Sequence, residues 1–210
     1  MSRPTLLLAT TNPGKLREIR DILGVLPWTL VTLADYASVP EPEETGATFA
    51  DNARLKARYY ATHIGLLAGT RLAVAEDSGL EIDALGGEPG VRSARFNGES
   101  YAEKFATIGR MLADQGVATS SARFVCALTL ARGDDIFWET SGSVEGQIQL
   151  PPRGDHGFGY DPIFYYPAYG RTLGEVTPQK KAAVSHRGQA FLALRSYLTT
   201  LRVAETTDRD

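Results

Sequence analysis

The segment TTNPGK, residues 10–15, has the residue types and spacing of an anion-binding turn. It follows the apolar run TLLLA, which predicts a buried strand at residues 5–9. Asn12 and Pro13 are typical of a helix start, because Asn caps well and Pro favours the first helical position. A helix N-terminus attracts anions, whereas Lys15 in the first turn opposes the helix dipole unless an anion lies between them. The segment therefore indicates a phosphate-binding turn, with a plain capped turn as the alternative.

This segment departs from the P-loop. A P-loop requires Gly five residues before Gly14 and Ser or Thr after the lysine, but the residues here are Ala9 and Leu16. A P-loop kinase or GTPase is therefore disfavoured.

Two acid pairs stand out: a pair in a loop, which is normally just solvated, and a pair at the end of a strand, which is a candidate for metal binding and water activation. Glu43 and Glu44 lie in a Pro- and acid-rich loop, and Glu76 and Asp77 end the apolar run RLAVAE. Ionised groups at the end of a buried strand need partners, and side chains alternate along a strand. One acid can therefore bind a metal while its neighbour addresses a water, and Mg²⁺ prefers such oxygen ligands.

The segment HGFGYDP can contact a flat ligand. Phe158 stands between two glycines, where its ring can press against a base, and Asp161 can accept a hydrogen bond from a ring N–H. A tight hydrophobic turn is the alternative.

The segment KKAAVSHRGQ, residues 180–189, places several hydrogen-bond donors at the start of the last predicted helix. Lys181, His186 and Arg187 stand there beside Ser185. Three donors at one helix start favour an anion or a carbonyl-rich ligand over the commoner surface His.

The elements that must position these groups alternate between strands and helices in the first half of the chain. A strand at 28–33, a helix with Asn52 and Lys56 on one face, and separate strands in RLAVAE and LEIDAL are predicted. A capping box from Ser100 to Glu103 predicts a third helix, and two long strands follow. We expect a mixed α/β sheet with helices on its faces.

Composition limits the classes of protein. The 210 residues are 43% hydrophobic with a net charge of −3, which allows a real core and disfavours nucleic acid as a partner. The one cysteine, Cys126, lies in an apolar run, so a buried thiol is expected. No apolar stretch is long enough to span a membrane, and we predict a cytoplasmic protein.

The segments in their order are more specific than any one of them. TTNPGK, EETGATFADNA with Lys56 after it, EDSGLEID, PGVRSARF, GFGYDPIF and SHRG follow one another from about Leu6 to about Leu198. This order closely resembles the inosine/xanthosine triphosphate pyrophosphatase family. The resemblance implies an elongated α/β fold, with a central mixed sheet flanked by helices and an active-site cleft between two lobes. It also implies a homodimer. We expect one domain at residues 1–202 and a frayed tail at 203–210.

The activity that the resemblance implies is Mg²⁺-dependent hydrolysis of ITP, dITP and XTP to the monophosphate and pyrophosphate. The metal ligands would be Glu44, Glu76 and Asp77, with Asp77 as the base that activates water. The division of metal and base roles between Glu76 and Asp77 stays open. The residues that would hold the substrate are Thr10, Thr11, Asn12, Pro13, Gly14, Lys15, Lys56, Ser78, Phe158, Gly159, Tyr160, Asp161, Lys181, His186 and Arg187.

Two other functions stay open at this stage. One is a related pyrophosphatase that acts on other modified nucleoside triphosphates. The other is a nucleotide-binding sensor without turnover, which the acids Glu44, Glu76 and Asp77 disfavour because a binder has less need of a water-activating carboxylate.

Overall fold

A computed structural model describes residues 3–36, 39–68 and 72–207. Its strands are β1 (Thr5–Leu8), β2 (Thr29–Thr32), β3 (Leu72–Ile82), β4 (Ser121–Arg132), β5 (Asp135–Ile148), β6 (Phe164–Tyr166) and β7 (Arg171–Thr172). They form one sheet in the order β2-β1-β3-β4-β5-β6-β7. Strand β1 pairs in parallel with β2 and β3, and β6 pairs antiparallel with β5 and β7. The predicted mixed sheet is confirmed.

The α-helices of the described residues are α1 (Pro13–Leu23), α2 (Phe49–Ala68), α3 (Tyr101–Asp114), α4 (Pro178–Val184) and α5 (His186–Thr207). Two of them begin where the capping signals predict. The side chain of Asn12 accepts hydrogen bonds at the start of α1, and Ser100 and Glu103 form the capping box of α3. These starts depend on residues within one turn, which is why the sequence alone predicts them.

Strand β3 corrects one prediction. The sequence predicts two strands separated at the EDSG segment, but β3 runs without interruption over 11 residues. It lies between β1 and β4 in the sheet, and pairing with neighbouring strands outweighs the weak strand preference of Ser78 and Gly79. Arg71, with which the predicted strand begins, lies outside the described residues.

The chain divides into two compact units. Unit 1 comprises residues 1–77, 127–141 and 187–210, and unit 2 comprises residues 78–126 and 142–186. This division agrees with the prediction of two lobes, while the elongated shape and the cleft stay predictions.

Each unit has its own core. In unit 1, alanines of β3 pack with Ala57, Tyr60 and Ile64 of α2. In unit 2, Leu80 and Ile82 of β3 pack with Phe105, Ile108 and Leu112 of α3. In both helices the buried apolar residues recur at the three- to four-residue spacing of a single helix face.

Three further predictions concern single features. Cys126 is a buried thiol, as predicted. In the part of the chain that the structure describes, no helix is long and apolar enough to cross a membrane. Helix α5 continues to Thr207, into the predicted tail, and residues 208–210 of that tail lie outside the described residues.

Candidate functional site in each unit

The turn before α1 is held by its own side chains. Asn12 Oδ1 accepts the backbone N–H groups of Gly14 and Lys15 at 2.9 and 3.1 Å, and Thr10 Oγ1 accepts the N–H of Asn12 at 3.2 Å. Thr11, Asn12 and Pro13 are exposed. Because Asn12 already accepts the N–H groups of Gly14 and Lys15, an anion at this exposed turn would be attracted by the helix dipole and by the charge of Lys15.

Asp77 lies on the face of β3 that α2 covers. Its Oδ1 accepts a hydrogen bond from Lys56 Nζ at 2.8 Å, and its Oδ2 accepts one from Asn52 Nδ2 at 3.1 Å. Lys56 Nζ also donates to Glu44 Oε1 at 2.7 Å. Asn52 and Lys56 share one face of α2, as predicted, because residues four apart in a helix are neighbours. Both of them contact Asp77.

The surroundings shift the pKa values of Asp77 and Lys56 upward. Burial raises the pKa of the Asp77 carboxyl above its usual value, and the charge and hydrogen bond of Lys56 oppose this without cancelling it. Burial lowers the pKa of Lys56, but the attraction of Asp77 and the hydrogen bonds with Asp77 and Glu44 outweigh burial, so the pKa of Lys56 is raised. A carboxylate with a raised pKa is better matched to accept a proton near neutral pH.

Glu76 lies on the opposite face of β3 and has other partners. Arg187 Nε donates to its Oε1 and Oε2 at 3.0 and 3.1 Å. Lys15 Nζ lies 3.4 Å from its Oε1. Arg187 Nη1 also donates to Glu18 Oε2 at 2.8 Å. The resemblance implies that Arg187 holds the substrate, and the side chain contacts these two acids in unit 1.

This ion network is buried. Glu76 and Arg187 are 3% and 2% exposed. Charges taken out of water are tolerated only when they are paired and hydrogen-bonded, so each residue of the pair is needed to compensate the other. Lys15, at the start of α1, connects this network with the predicted phosphate-binding turn.

The acids differ in how well they fit a divalent metal. Carboxylate oxygens of Glu44 and Asp77 converge on one cation, Lys56 Nζ, at 2.7 and 2.8 Å. Mg²⁺ commonly uses one or two carboxylates plus substrate phosphates, so these two residues fit it. Glu76 is engaged by Arg187 instead. Among the described residues, no group of three or more His, Cys, Asp or Glu side chains could hold a metal ion.

In unit 2, Asp161 organises the GFGYDP segment. Its Oδ2 accepts the N–H of Phe158 at 2.8 Å and pairs with Lys181 Nζ. Lys181 Nζ also lies 4.8 Å from the centre of the Phe158 ring. A Cβ on Gly157, whose φ is +73°, would lie 2.1 Å from Asp161 Oδ2. The segment therefore needs glycine at position 157. The Phe158 ring lies against the Lys181 cation of a buried ion pair.

Two further aromatic contacts of unit 2 involve predicted site residues. The Tyr160 hydroxyl donates to the carbonyl of Ser93 at 2.8 Å, and its ring meets Tyr101 edge-on, with centroids 5.4 Å apart. His186 stacks on Phe124 at 4.9 Å. Tyr160 and His186 are buried, so each is fixed by packing.

The remaining predicted residues of unit 2 have their own positions. Ser78 is a partly buried residue of β3. Gly159 has a φ of +68°, and a Cβ there would lie 3.5 Å from the Tyr101 hydroxyl.

Sequence reasoning missed two neighbours of these residues. Glu18, the second acid on Arg187, stands three residues after Lys15 in α1, and this spacing on a helix surface could have indicated a shared face. Tyr101 follows the capping residue Ser100, but nothing in the sequence indicates that its ring contacts Tyr160.

A mixed sheet whose buried acids are paired with lysines, together with a capped helix start that carries one of these lysines, defines an α/β protein suited to phosphate chemistry. The chain belongs to the Ham1 family, whose family model matches residues 6–197. The resemblance seen in the sequence is thereby confirmed.

Several known proteins are similar over most of the chain. The dITP/XTP pyrophosphatase of Exiguobacterium sibiricum is 45% identical over 197 residues, which cover 93% of this chain and 97% of that protein. The dITP/XTP pyrophosphatase of Thermus thermophilus is 50% identical over 190 residues, covering 90% of this chain and 88% of that protein. The solved structure of a HAM1 protein from Coxiella burnetii is 40% identical, has a TM-score of 0.84, and is matched over 94% of this chain and 99% of that one.

Proposed function

We propose that this protein is a pyrophosphohydrolase of non-standard purine nucleoside triphosphates, among them dITP, ITP and XTP, and that it removes them from the nucleotide pool. The products are the nucleoside monophosphate and pyrophosphate. The observation that carries this proposal is the buried carboxylate Asp77, which has a raised pKa and is held by Lys56 and Asn52. The names of the similar proteins from Exiguobacterium sibiricum and Thermus thermophilus support the substrate class.

The polyphosphate is assigned to unit 1. Thr10 and Thr11 offer hydroxyl groups, and residues Asn12 to Lys15 form a helix N-terminus with a full positive charge. Lys15 and Lys56 neutralise phosphate charge, and charge neutralisation with positioning supplies most of the catalysis in phosphoryl transfer.

The hydrolytic step is assigned to Asp77. A water oxygen bonds to one of the two phosphorus atoms of the α–β anhydride while Asp77 takes the water proton. The bond from that phosphorus to the α–β bridging oxygen breaks with its electron pair on the leaving group, so that the products are the monophosphate and pyrophosphate. Proton transfer of this kind contributes typically ~10²–10⁴-fold. When bound, Mg²⁺ would neutralise phosphate charge, and we propose Glu44 and Asp77 as the residues that hold it. This assignment leaves Glu76 to hold Lys15 and Arg187.

The base is assigned to unit 2. Phe158 offers an aromatic face next to the cation of Lys181, and Gly159, Tyr160, Asp161, Ser78 and His186 complete the set. Hypoxanthine and xanthine present a 6-oxo acceptor where adenine presents an amino donor. A site of buried donors therefore rejects adenine, because the donors of the protein would be left without an acceptor when adenine is bound. Arg187 remains a proposed contributor to this selection. A homodimer and a cytoplasmic location are part of the same proposal.

One experiment tests this function against its alternatives. The purified chain is incubated with Mg²⁺ and each of dITP, ITP, XTP, ATP, GTP and modified pyrimidine triphosphates, and pyrophosphate and orthophosphate are measured separately. We expect pyrophosphate with the first three and little with ATP. Pyrophosphate chiefly from other nucleotides would favour the related pyrophosphatase. Tight binding without any product would favour the sensor.

A further inference from the structure

Both polar groups of the Asn52 carboxamide are hydrogen-bonded. It lies in the first turn of α2 and is 1% exposed. Its Nδ2 donates to Asp77 Oδ2 at 3.1 Å, and its Oδ1 accepts the backbone N–H of Gly46 at 2.8 Å. A carboxamide is a side chain that supplies a donor and an acceptor side by side, whereas an ionised carboxylate of the same size supplies acceptors alone.

The approach of Gly46 to Asn52 is close. A Cβ on residue 46 would lie 2.6 Å from Asn52 Oδ1 and 2.8 Å from its backbone nitrogen. These distances are shorter than those that real Cβ atoms make. The backbone can therefore come this close to the Asn52 amide only because residue 46 is glycine. The hydrogen bond from Gly46 to Asn52 therefore depends on the close backbone approach of the segment that precedes α2.

The segment from Glu41 to Gly46 is held at both of its ends. Gly46 is bound by Asn52, and Glu41 Oε1 accepts a hydrogen bond from Thr11 Oγ1 at 2.7 Å. Glu44 lies between these two anchors and contacts Lys56. Asn52 therefore touches both the carboxylate of Asp77 and the segment that carries Glu44.

The carboxylate plane of Asp77 is fixed by one donor on each oxygen. Lys56 binds Oδ1 and Asn52 binds Oδ2. Without Asn52, the carboxylate would be free to rotate about the bond to its Cβ while keeping the contact with Lys56. A displacement of about 1 Å at a reacting group costs on the order of 10²-fold in rate.

We infer that Asn52 is a positioning residue of the hydrolytic site: it orients the Asp77 carboxylate and fixes the Glu41–Gly46 segment relative to it. This inference rests on the proposed role of Asp77 in hydrolysis. Asn52 acts through Asp77, so its loss lowers kcat and leaves the affinity for the nucleotide nearly unchanged.

The test compares two substitutions with different losses. N52A removes both hydrogen bonds, while N52D keeps the acceptor for Gly46 and removes the donor to Asp77. We expect kcat with dITP to fall about 10- to 100-fold in both variants, as for other residues that orient a reacting group, with KM changed less than about threefold. Binding of dITP in EDTA, measured by calorimetry, should stay close to the wild-type value.

A double-mutant cycle with D77N decides whether Asn52 acts through Asp77. In the D77N background, N52A should lower the residual kcat by much less than in the wild-type background, because the carboxylate it orients is gone and only the contact with Gly46 is left to lose. A full additional loss there would contradict the inference, as would wild-type kcat in N52D or a raised KM with unchanged kcat. If N52A is insoluble, N52L takes its place in the cycle, because it removes both hydrogen bonds, nearly preserves volume and adds no charge beside Asp77.

The matched control is T48A at the same end of α2. Thr48 Oγ1 accepts the N–H of Asp51 at 3.1 Å and donates to its carboxylate at 2.7 Å, so T48A weakens the helix start without touching Asp77. We expect wild-type kcat in T48A. The wild-type protein distinguishes a failure of the proposed function from a failure of the role of Asn52. No pyrophosphate from wild type would contradict the proposed function, and wild-type turnover with unaltered N52A and N52D would contradict the role of Asn52 alone.

Discussion

Glu76 and Asp77 are consecutive residues of β3, yet their carboxylates contact different side chains. Arg187 Nε binds Glu76 Oε1 at 3.0 Å, and Lys56 Nζ binds Asp77 Oδ1 at 2.8 Å. The alternation of side chains along a strand turns these two acids to opposite faces of the sheet. Substitutions at the two positions should therefore change different properties of the protein.

Replacing Asp77 should remove turnover. In D77N the amide cannot accept the water proton, so kcat with dITP should fall by about 10²–10⁴-fold or more, while dITP binding measured by calorimetry stays within about threefold. E76Q is the matched control on the other face. It weakens the hydrogen bond with Arg187 and should cost about 1–3 kcal/mol in the free energy of unfolding. Wild-type-like turnover in D77N would refute the role of base.

Replacing Arg187 should destabilise the protein. R187A leaves the buried Glu76 without its main partner, and breaking a buried pair typically costs about 3–5 kcal/mol. Urea denaturation of R187A and of the exposed control R195A, on the same helix, measures this, with less than about 0.5 kcal/mol expected for the control. Equal unfolding midpoints would contradict the structural role. In folded R187A, an unchanged preference for ITP over ATP in kcat/KM would contradict the proposed part in base selection.

Replacing Lys56 should make the protein respond more strongly to Mg²⁺. Lys56 Nζ bridges Glu44 and Asp77, so K56M leaves two acids facing each other and should cost on the order of 3 kcal/mol in the absence of metal. A metal that binds the folded state raises its stability by mass action. If these acids bind Mg²⁺ as proposed, differential scanning fluorimetry should give a larger rise of Tm with Mg²⁺ for K56M than for wild type. An equal or smaller rise would count against this pair of ligands.

A methyl group on Gly157 should disturb the segment around Phe158. In G157A the new Cβ would meet Asp161 Oδ2, so the ion pair with Lys181 must shift and KM for dITP should rise about tenfold or more. Gly170 is the matched control, because its φ of +62° is similar but a Cβ there meets nothing within 4 Å. G170A should keep the wild-type KM. An unchanged KM in G157A would argue that this segment does not contact the nucleotide.

The capping box of α3 should contribute to acid sensitivity. Hydrogen bonds from the backbone N–H and hydroxyl of Ser100, and from the N–H of Glu99, lower the pKa of Glu103 from its usual 4.5. Since the folded pKa is below the unfolded one, this contribution is present above about pH 4.5 and is lost as pH falls through the folded pKa. The difference in urea midpoint between wild type and E103Q should therefore shrink on acidification. A difference independent of pH would refute this.

Features set by neighbouring residues could be predicted from the sequence. The start of α1 at Asn12 and the capping box at Ser100 each depend on contacts within four residues, and the apolar face of α2 depends on helical periodicity alone. The shared helix face of Asn52 and Lys56 could also be predicted from local spacing. That both residues contact Asp77 could not be predicted from this spacing.

Features set by distant residues could not be predicted. The partner of Glu76 is 111 residues away in the sequence, and no local pattern relates Arg187 to it. The sequence presents Asp161 as an acceptor for a ligand, but its pairing with Lys181 and Phe158 is a property of the folded segment. Likewise, the continuity of β3 through Ser78 and Gly79 depends on the neighbouring strands.

The distance in sequence between Glu76 and Arg187 has a consequence during synthesis of the chain. At about 5–20 residues per second, a ribosome needs roughly 5–20 s to make the 111 residues that separate them. Throughout that interval the nascent chain carries a carboxylate destined for the interior but lacks the guanidinium that compensates it. Completion of the first unit therefore waits for the last segment to leave the ribosome, and chains released before Arg187 are expected to be substrates for proteases.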